Sequence, residues 1–241
     1  MELQIASHDF VVAFLFGLIP AIFWLWFWLR EDKKNPEPIL LIIITFIAGM
    51  AVVPLALPLQ KMAIEIYAGA NLVLVWVIIE EVLKYAVALM VIFWNRAVDE
   101  PIDFIIYMIA IALGFAALEN ALFILTPLSN GELNTVAVTG SFRFLGATLL
   151  HVLASATIGI CLAFAFYKSV TKKLLYGTFG LFIAILLHAL FNFFIIRASE
   201  PGKENGVLFV LLFVWMGIVL LFLLFEKIKL LESTRKPILR K

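Results

Sequence analysis

Apolar residues run through this chain in long blocks, at roughly 10–29, 39–59, 72–94, 103–125, 142–167, 174–196 and 207–226, each closed by a short polar or proline-containing segment. A helix needs about 20 consecutive, mostly apolar residues to cross a bilayer. The pattern therefore predicts an all-α, polytopic transmembrane helix bundle of about seven spans. The segment 126–141 (TPLSNGELNTVAVTGS) is the longest expected connection between spans. No long linker, low-complexity stretch or internal repeat breaks the chain, so 1–241 reads as one integral membrane domain.

Composition agrees with this reading. Hydrophobic residues make up 64% of the 241 and charged residues only 15%, an apolar excess that a soluble core cannot absorb. The formal net charge is +1, and no basic run interleaved with aromatics suggests a nucleic-acid partner. The expected partner is the lipid bilayer. The single cysteine, Cys161, lies in an apolar run and reads as a small buried hydrophobe.

The distribution of charge orients the spans. Residues 1–9 contain no Lys or Arg, and no small-residue cleavage pattern follows Trp28, so the first run is expected to be a retained helix. Alternating spans put Arg30, Lys33, Lys34, Arg96, Lys168, Lys172, Lys173, Lys227, Lys229, Arg235, Lys236, Arg240 and Lys241 on one side. Only Lys61, Arg143, Arg197 and Lys203 fall on the other. Thirteen against four, under the positive-inside rule, predicts a multi-pass cell-membrane protein with its N-terminus outside and its C-terminus cytoplasmic. Trp24, Trp26 and Trp28 read as interfacial anchors.

Ionisable residues inside spans are costly, so each invites a functional reading and a named partner. They are Glu80, Glu81 and Lys84 in the third run, Glu119 in the fourth, His151 in the fifth and His188 in the sixth. Residues four apart share a helical face, which pairs Glu80 with Lys84, Phe115 with Glu119, His151 with Ser155 and His188 with Asn192. At about 1.5 Å rise per residue, Glu80, Glu119, His151 and His188 all lie roughly 9–14 Å below the outer face. Four lipid-avoiding stripes at one depth imply one shared interior site, within a catalytic core at about 72–196.

Carboxylates near histidines can activate water. Glu80 or Glu81 is the expected general base, and helical spacing suggests that only one of these neighbours points at the centre. Glu119, His151 and His188 form a His/His/Glu set of the kind that binds catalytic zinc and leaves a position open for water. Asn192 and Ser155 are candidate donors to an oxyanion formed from a peptide carbonyl. Lys84 is simplest as the counter-ion of Glu80 or Glu81. Taken alone, each histidine could equally be an interhelical hydrogen-bonder; the joint occurrence favours chemistry.

The pieces PEP at 36–38, EEVLK at 80–84, EPID at 100–103, GFAALEN at 114–120, Arg143 followed by His151, and HALFN at 188–192 carry a further likeness. Through them the sequence resembles the PrsW family of intramembrane proteases, a branch of the superfamily that includes the CAAX-type prenyl-protein proteases. The resemblance covers about residues 30–195. It implies a metal- or glutamate-dependent endopeptidase that cuts a membrane protein close to the bilayer, the best-known substrate type being a membrane-anchored anti-sigma factor. By position, Glu80 and Glu81 match the family's first motif, Glu119 its second, His151 its third and His188 its last. In the CAAX branch a histidine follows the second-motif Phe by four residues; here Phe115 is followed by Glu119, which argues against prenyl-protein processing. Phe104 and Val152 also depart from the pattern. The alternatives to a protease are a proton-coupled transporter, since Glu/His chains also relay protons, and a non-catalytic membrane scaffold.

Overall fold

A computed structural model describes residues 7–31, 35–199 and 204–239. The helices are α1 (Ser7–Leu29), α2 (Ile39–Ile66), α3 (Gly69–Val91), α4 (Asp103–Ser129), α5 (Leu133–Phe142), α6 (Thr148–Phe164), α7 (Val170–Ala198) and α8 (Glu204–Leu239). A π-helical turn, Arg143–Ala147, joins α5 to α6. No strand occurs among the described residues. Lys33, Lys34, Lys203, Arg240 and Lys241 of the charge count lie outside the described residues.

Among the described residues, six helical stretches are long and apolar enough to cross a membrane, the α5–α6 stretch Leu133–Phe164 counting as one. Helix α3 has the length, at 23 residues, but carries Glu80, Glu81 and Lys84. The chain is a multi-pass helical bundle, and the helix with the charges is the one that builds the site described below.

Helix α4 is the axis of the bundle. Every residue from Asp103 to Ala117 is buried, because α4 packs against α1, α2 and α6. In lipid, helices gain little by hiding apolar surface from one another, so close backbone approach carries the packing. Gly49 of α2 and Gly114 of α4 make that approach possible: a Cβ on Gly49 would sit 2.0 Å from the Ile111 carbonyl oxygen, and one on Gly114 would overlap the Phe46 carbonyl oxygen. Helices α6, α7 and α8 complete the other side, and α3 lies between α2 and α7. Large apolar side chains such as Ile19, Ile47, Phe182 and Leu223 stay exposed on the outside, as a lipid-facing surface requires.

Two sequence expectations change. The expected long connection at 126–141 is mostly helix: α4 runs to Ser129, α5 starts at Leu133, and only Asn130–Gly131–Glu132 turns, with Gly131 at φ +74°. The polar residues of α5 had suggested a loop, but they face outward and Val136 alone faces in. Trp24 and Trp28 are not surface anchors. Both are buried and pack, one turn apart, with Trp215, Phe222 and Phe225 of α8. Trp26, on the opposite face, remains exposed with Arg30 stacked on its ring.

Two of the motif pieces prove architectural. Asp103 Oδ2 accepts the backbone N–H groups of Asp99 and Glu100, each at 2.8 Å, and so folds the link before α4 back onto the helix start. The Tyr107 hydroxyl donates to Glu37. PEP and EPID are thereby tied together at the end of the bundle where α2 and α4 begin.

Candidate active site

Four helices bring the buried polar residues together as the common-depth argument expects. Helix α3 supplies Glu80, Glu81 and Lys84, α4 supplies Glu119 and Asn120, α6 supplies His151, and α7 supplies His188. The Lys84 and Glu81 side chains are fully shielded from solvent. Lys84 Nζ donates to Glu81 Oε1 at 2.7 Å and lies 3.0 Å from His151 Nδ1.

An ammonium group can only donate. His151 Nδ1 is therefore the acceptor, which places the ring proton on Nε2, 3.0 Å from Glu119 Oε2. The contact of His188 Nδ1 with Glu81 Oε1, at 2.8 Å, puts a proton on Nδ1, and in the neutral imidazole Nε2 then keeps its lone pair. That free Nε2 lies 3.8 Å from Glu80 Oε2. The two imidazoles meet edge to face, with centroids 4.9 Å apart.

Neighbouring glutamates thus make different contacts, although both are buried. His188 sits between them, held by Glu81 through one nitrogen and facing Glu80 with the other. Glu80 Oε1 accepts a 2.8 Å hydrogen bond from Gln60 Nε2 of α2, while Glu80 Oε2 is buried without a partner. Glu119 is engaged elsewhere: Arg143, in the π-helical turn, donates to Glu119 and to Asn120, and Asn120 Nδ2 donates to Thr148 Oγ1 at 2.9 Å. The Arg143 guanidinium also stacks on Phe123, 3.8 Å from its ring centre. π-Helical turns of this kind often occur at functional sites.

A cavity of about 280 Å³ opens beside the cluster, lined by residues of α2, α3 and α4. Glu80 and Glu119 lie on its wall, as do Gln60 and Trp76. Trp76 Nε1 donates to the Gln60 carbonyl at 3.2 Å, tying α3 to α2. A buried carboxylate oxygen without a hydrogen-bond partner, 3.8 Å from an imidazole nitrogen at the edge of a cavity, is an arrangement suited to holding water.

A family model described as PrsW family intramembrane metalloprotease matches residues 37–223. The chain belongs to that family. Similar proteins include Protease PrsW of Geobacillus kaustophilus, 27% identical over 209 residues, covering 84% of this chain and 87% of that one. Protease PrsW of Oceanobacillus iheyensis is 31% identical over 189 residues, covering 73% and 80% of the two chains. Protease PrsW of Bacillus subtilis is 24% identical over 189 residues, covering 76% and 83%. No solved structure matches. As a PrsW-family intramembrane protease, the protein acts on membrane-protein substrates.

The PrsW-family cluster also has a donor set fit for a metal. Among the described residues, Glu80, His151 and His188 each offer a ligand atom, and these atoms lie within 4.8 Å of one another. The carboxylate in this trio is Glu80, whereas the sequence pointed to Glu119. Arg143 accounts for the difference, since it neutralises Glu119 from a turn that the sequence placed in an outside segment. Lys84 and Arg143 also set two positive charges against three carboxylates, and the remaining negative charge is one that a cation or proton satisfies.

Ser155 and Asn192 do not reach the cavity wall. Ser155 is fully buried and its hydroxyl has no hydrogen-bond partner; Asn192 is half-buried one turn beyond His188. Gln60 and Trp76 escaped the sequence reading. Gln60 falls one residue past the expected end of its span at 59, so it read as part of a connecting segment, while the observed α2 continues to Ile66.

Proposed function

We propose that this protein hydrolyses a peptide bond of a membrane-anchored protein close to one membrane face, using water held between Glu80 and His188. The observation that carries this reading is the pairing of the unpartnered Glu80 Oε2 with the free His188 Nε2, 3.8 Å apart at the cavity wall. Glu80 takes the proton of the attacking water. Glu81 holds His188 in the tautomer whose Nε2 faces that water, and Lys84 neutralises Glu81. Glu119, fixed by Arg143, orients His151 through Nε2.

Glu80, His151 and His188 would hold a divalent ion of the zinc type, which when bound supplies Lewis acidity and lowers the pKa of its water. This is an alternative to the metal-free arrangement: with the ion bound, His151 would exchange its bond to Glu119 for the metal, and the activation of water would pass from Glu80 to the ion. The resemblance of the motifs points to an anti-sigma factor as the kind of substrate, and the thirteen-to-four charge asymmetry supports cleavage near the outer face with the C-terminus in the cytoplasm.

Elemental analysis of protein purified without chelator tests the metal set. Wild type should carry about one zinc per chain, and Glu80→Gln and His188→Ala should each lose at least tenfold in zinc affinity, in line with the roughly 10–100-fold typical of even indirect supports of a metal site. Zinc retained by both variants, or full activity in demonstrably metal-free wild type, would remove the ion from the account and leave the glutamate and histidine acting alone.

A further inference from the structure

The cavity beside Glu80 has a construction that the hydrolytic chemistry does not require. Its α2 wall is Val53, Ala56, Leu57 and Gln60, one helical face at spacings i, i+3, i+4 and i+7. Helix α4 contributes Phe115, Glu119, Leu122 and Phe123. α2 and α4 meet at backbone distance around Gly49 and Gly114, and the cavity opens one turn beyond that crossing. Leu57 and Phe123 are 47% and 54% exposed, so they form a rim facing outward from the bundle, whereas Val53 and Ala56 are buried in the depth of the wall.

From this construction we propose that the wedge between α2 and α4 is a substrate subsite that accepts one large aliphatic or aromatic side chain adjacent to the scissile bond. Ala56 and Leu57 set its size. The inference rests on the reading of Glu80 as the hydrolytic centre and adds to it the class of residue that is cut.

Size and polarity together select this occupant. A cavity of roughly 150 Å³ is enough for benzene, so about 280 Å³ holds a Leu, Met or Phe side chain together with part of its peptide unit. A lipid acyl chain would fill the apolar wall but leave Glu80 Oε2, which has no hydrogen-bond partner, facing hydrocarbon, a costly arrangement in lipid. A peptide brings its own N–H and C=O groups to that end while its side chain fills the other. The exposed rim of Leu57 and Phe123 leaves the wedge open from outside the bundle, the side from which a membrane-tethered chain would enter.

The test uses full-length protein in lipid vesicles and a series of membrane-tethered peptides differing at one residue on either side of the cut, with products located by mass spectrometry. At one flanking position, wild type should cleave the Leu, Met or Phe peptide at least about tenfold more efficiently than the Gly or Asp peptide, the discrimination that apolar pockets commonly give. Ala56→Leu, which fills the wedge, should move the preference to Ala. Leu57→Ala, which widens it, should extend the preference to Trp. Leu57 is half-exposed, so this second variant keeps the proposal testable if Ala56→Leu does not fold. Wild type indifferent at every flanking position, or Leu57→Ala lowering all peptides equally, overturns the subsite alone and leaves a lipid chain as the occupant. Undiminished cleavage by Glu80→Gln instead contradicts the hydrolytic centre on which the subsite rests.

Discussion

His188 Nδ1 lies 2.8 Å from Glu81 Oε1, and this one contact decides what the other side of the imidazole can do. Because Glu81 is a carboxylate, Nδ1 must donate to it, and the neutral imidazole then turns its lone-pair nitrogen, Nε2, toward Glu80. Glu81, set back from the cavity, therefore orients the histidine that the proposed mechanism places against the water. This is the carboxylate–histidine support seen behind catalytic imidazoles and metal ligands.

Glu81→Gln should lower kcat by about 10–100-fold with KM little changed, because the amide holds His188 less firmly and can present either its N or its O. Steady-state cleavage of a tethered peptide, compared with Glu81→Asp, checks this. A Glu81→Gln variant with wild-type kcat would remove the supporting role.

Lys84 is a counter-ion inside the bundle, with both partners of its ion pair fully shielded. Lys84→Met leaves Glu81 buried beside His188 without its cation, a change that costs about 3–5 kcal/mol when a buried pair is broken. Thermal unfolding in detergent should show a clearly lowered midpoint, and the double variant Lys84→Met with Glu81→Leu should recover much of the loss. No recovery in the double variant would mean that Lys84 acts through His151 rather than through Glu81.

Much of this is legible in the amino-acid sequence. Each apolar run overlaps a helix, because a bilayer imposes length and hydropathy together, although α2 runs on to Ile66 and α8 to Leu239, past the expected ends at 59 and 226. Helical spacing puts Glu80, Glu119, His151 and His188 at one depth, and they do meet. Spacing along a helix cannot give rotation between helices, and there the reading fell short. It could not tell that both Glu80 and Glu81 flank His188, that Arg143 takes Glu119, or that Gln60 reaches across from α2 to Glu80. Each of these is a contact between helices far apart in sequence. The expected exclusion of one glutamate failed because a histidine between two helices can engage neighbouring residues through its two different nitrogens.

Topology follows from charge. With Cys161 replaced by Ala, single cysteines from Glu2→Cys and Leu239→Cys should label differently in intact cells: the first with a membrane-impermeant maleimide, the second only after permeabilisation. Labelling of the C-terminal cysteine from outside would reverse the orientation and move the predicted cut to the other membrane face.

The central claim is that water is activated between Glu80 and His188. The most direct measurement is the cleavage rate of a membrane-tethered peptide by purified Glu80→Gln protein in lipid vesicles, beside wild type at equal folded concentration. Gln preserves the size of the side chain and its bond partner for Gln60 but cannot take a proton, so the rate should fall by ~10²–10⁴-fold, the usual worth of a general base, with unfolding temperature unchanged or raised. Cleavage within a few-fold of wild type would contradict the account.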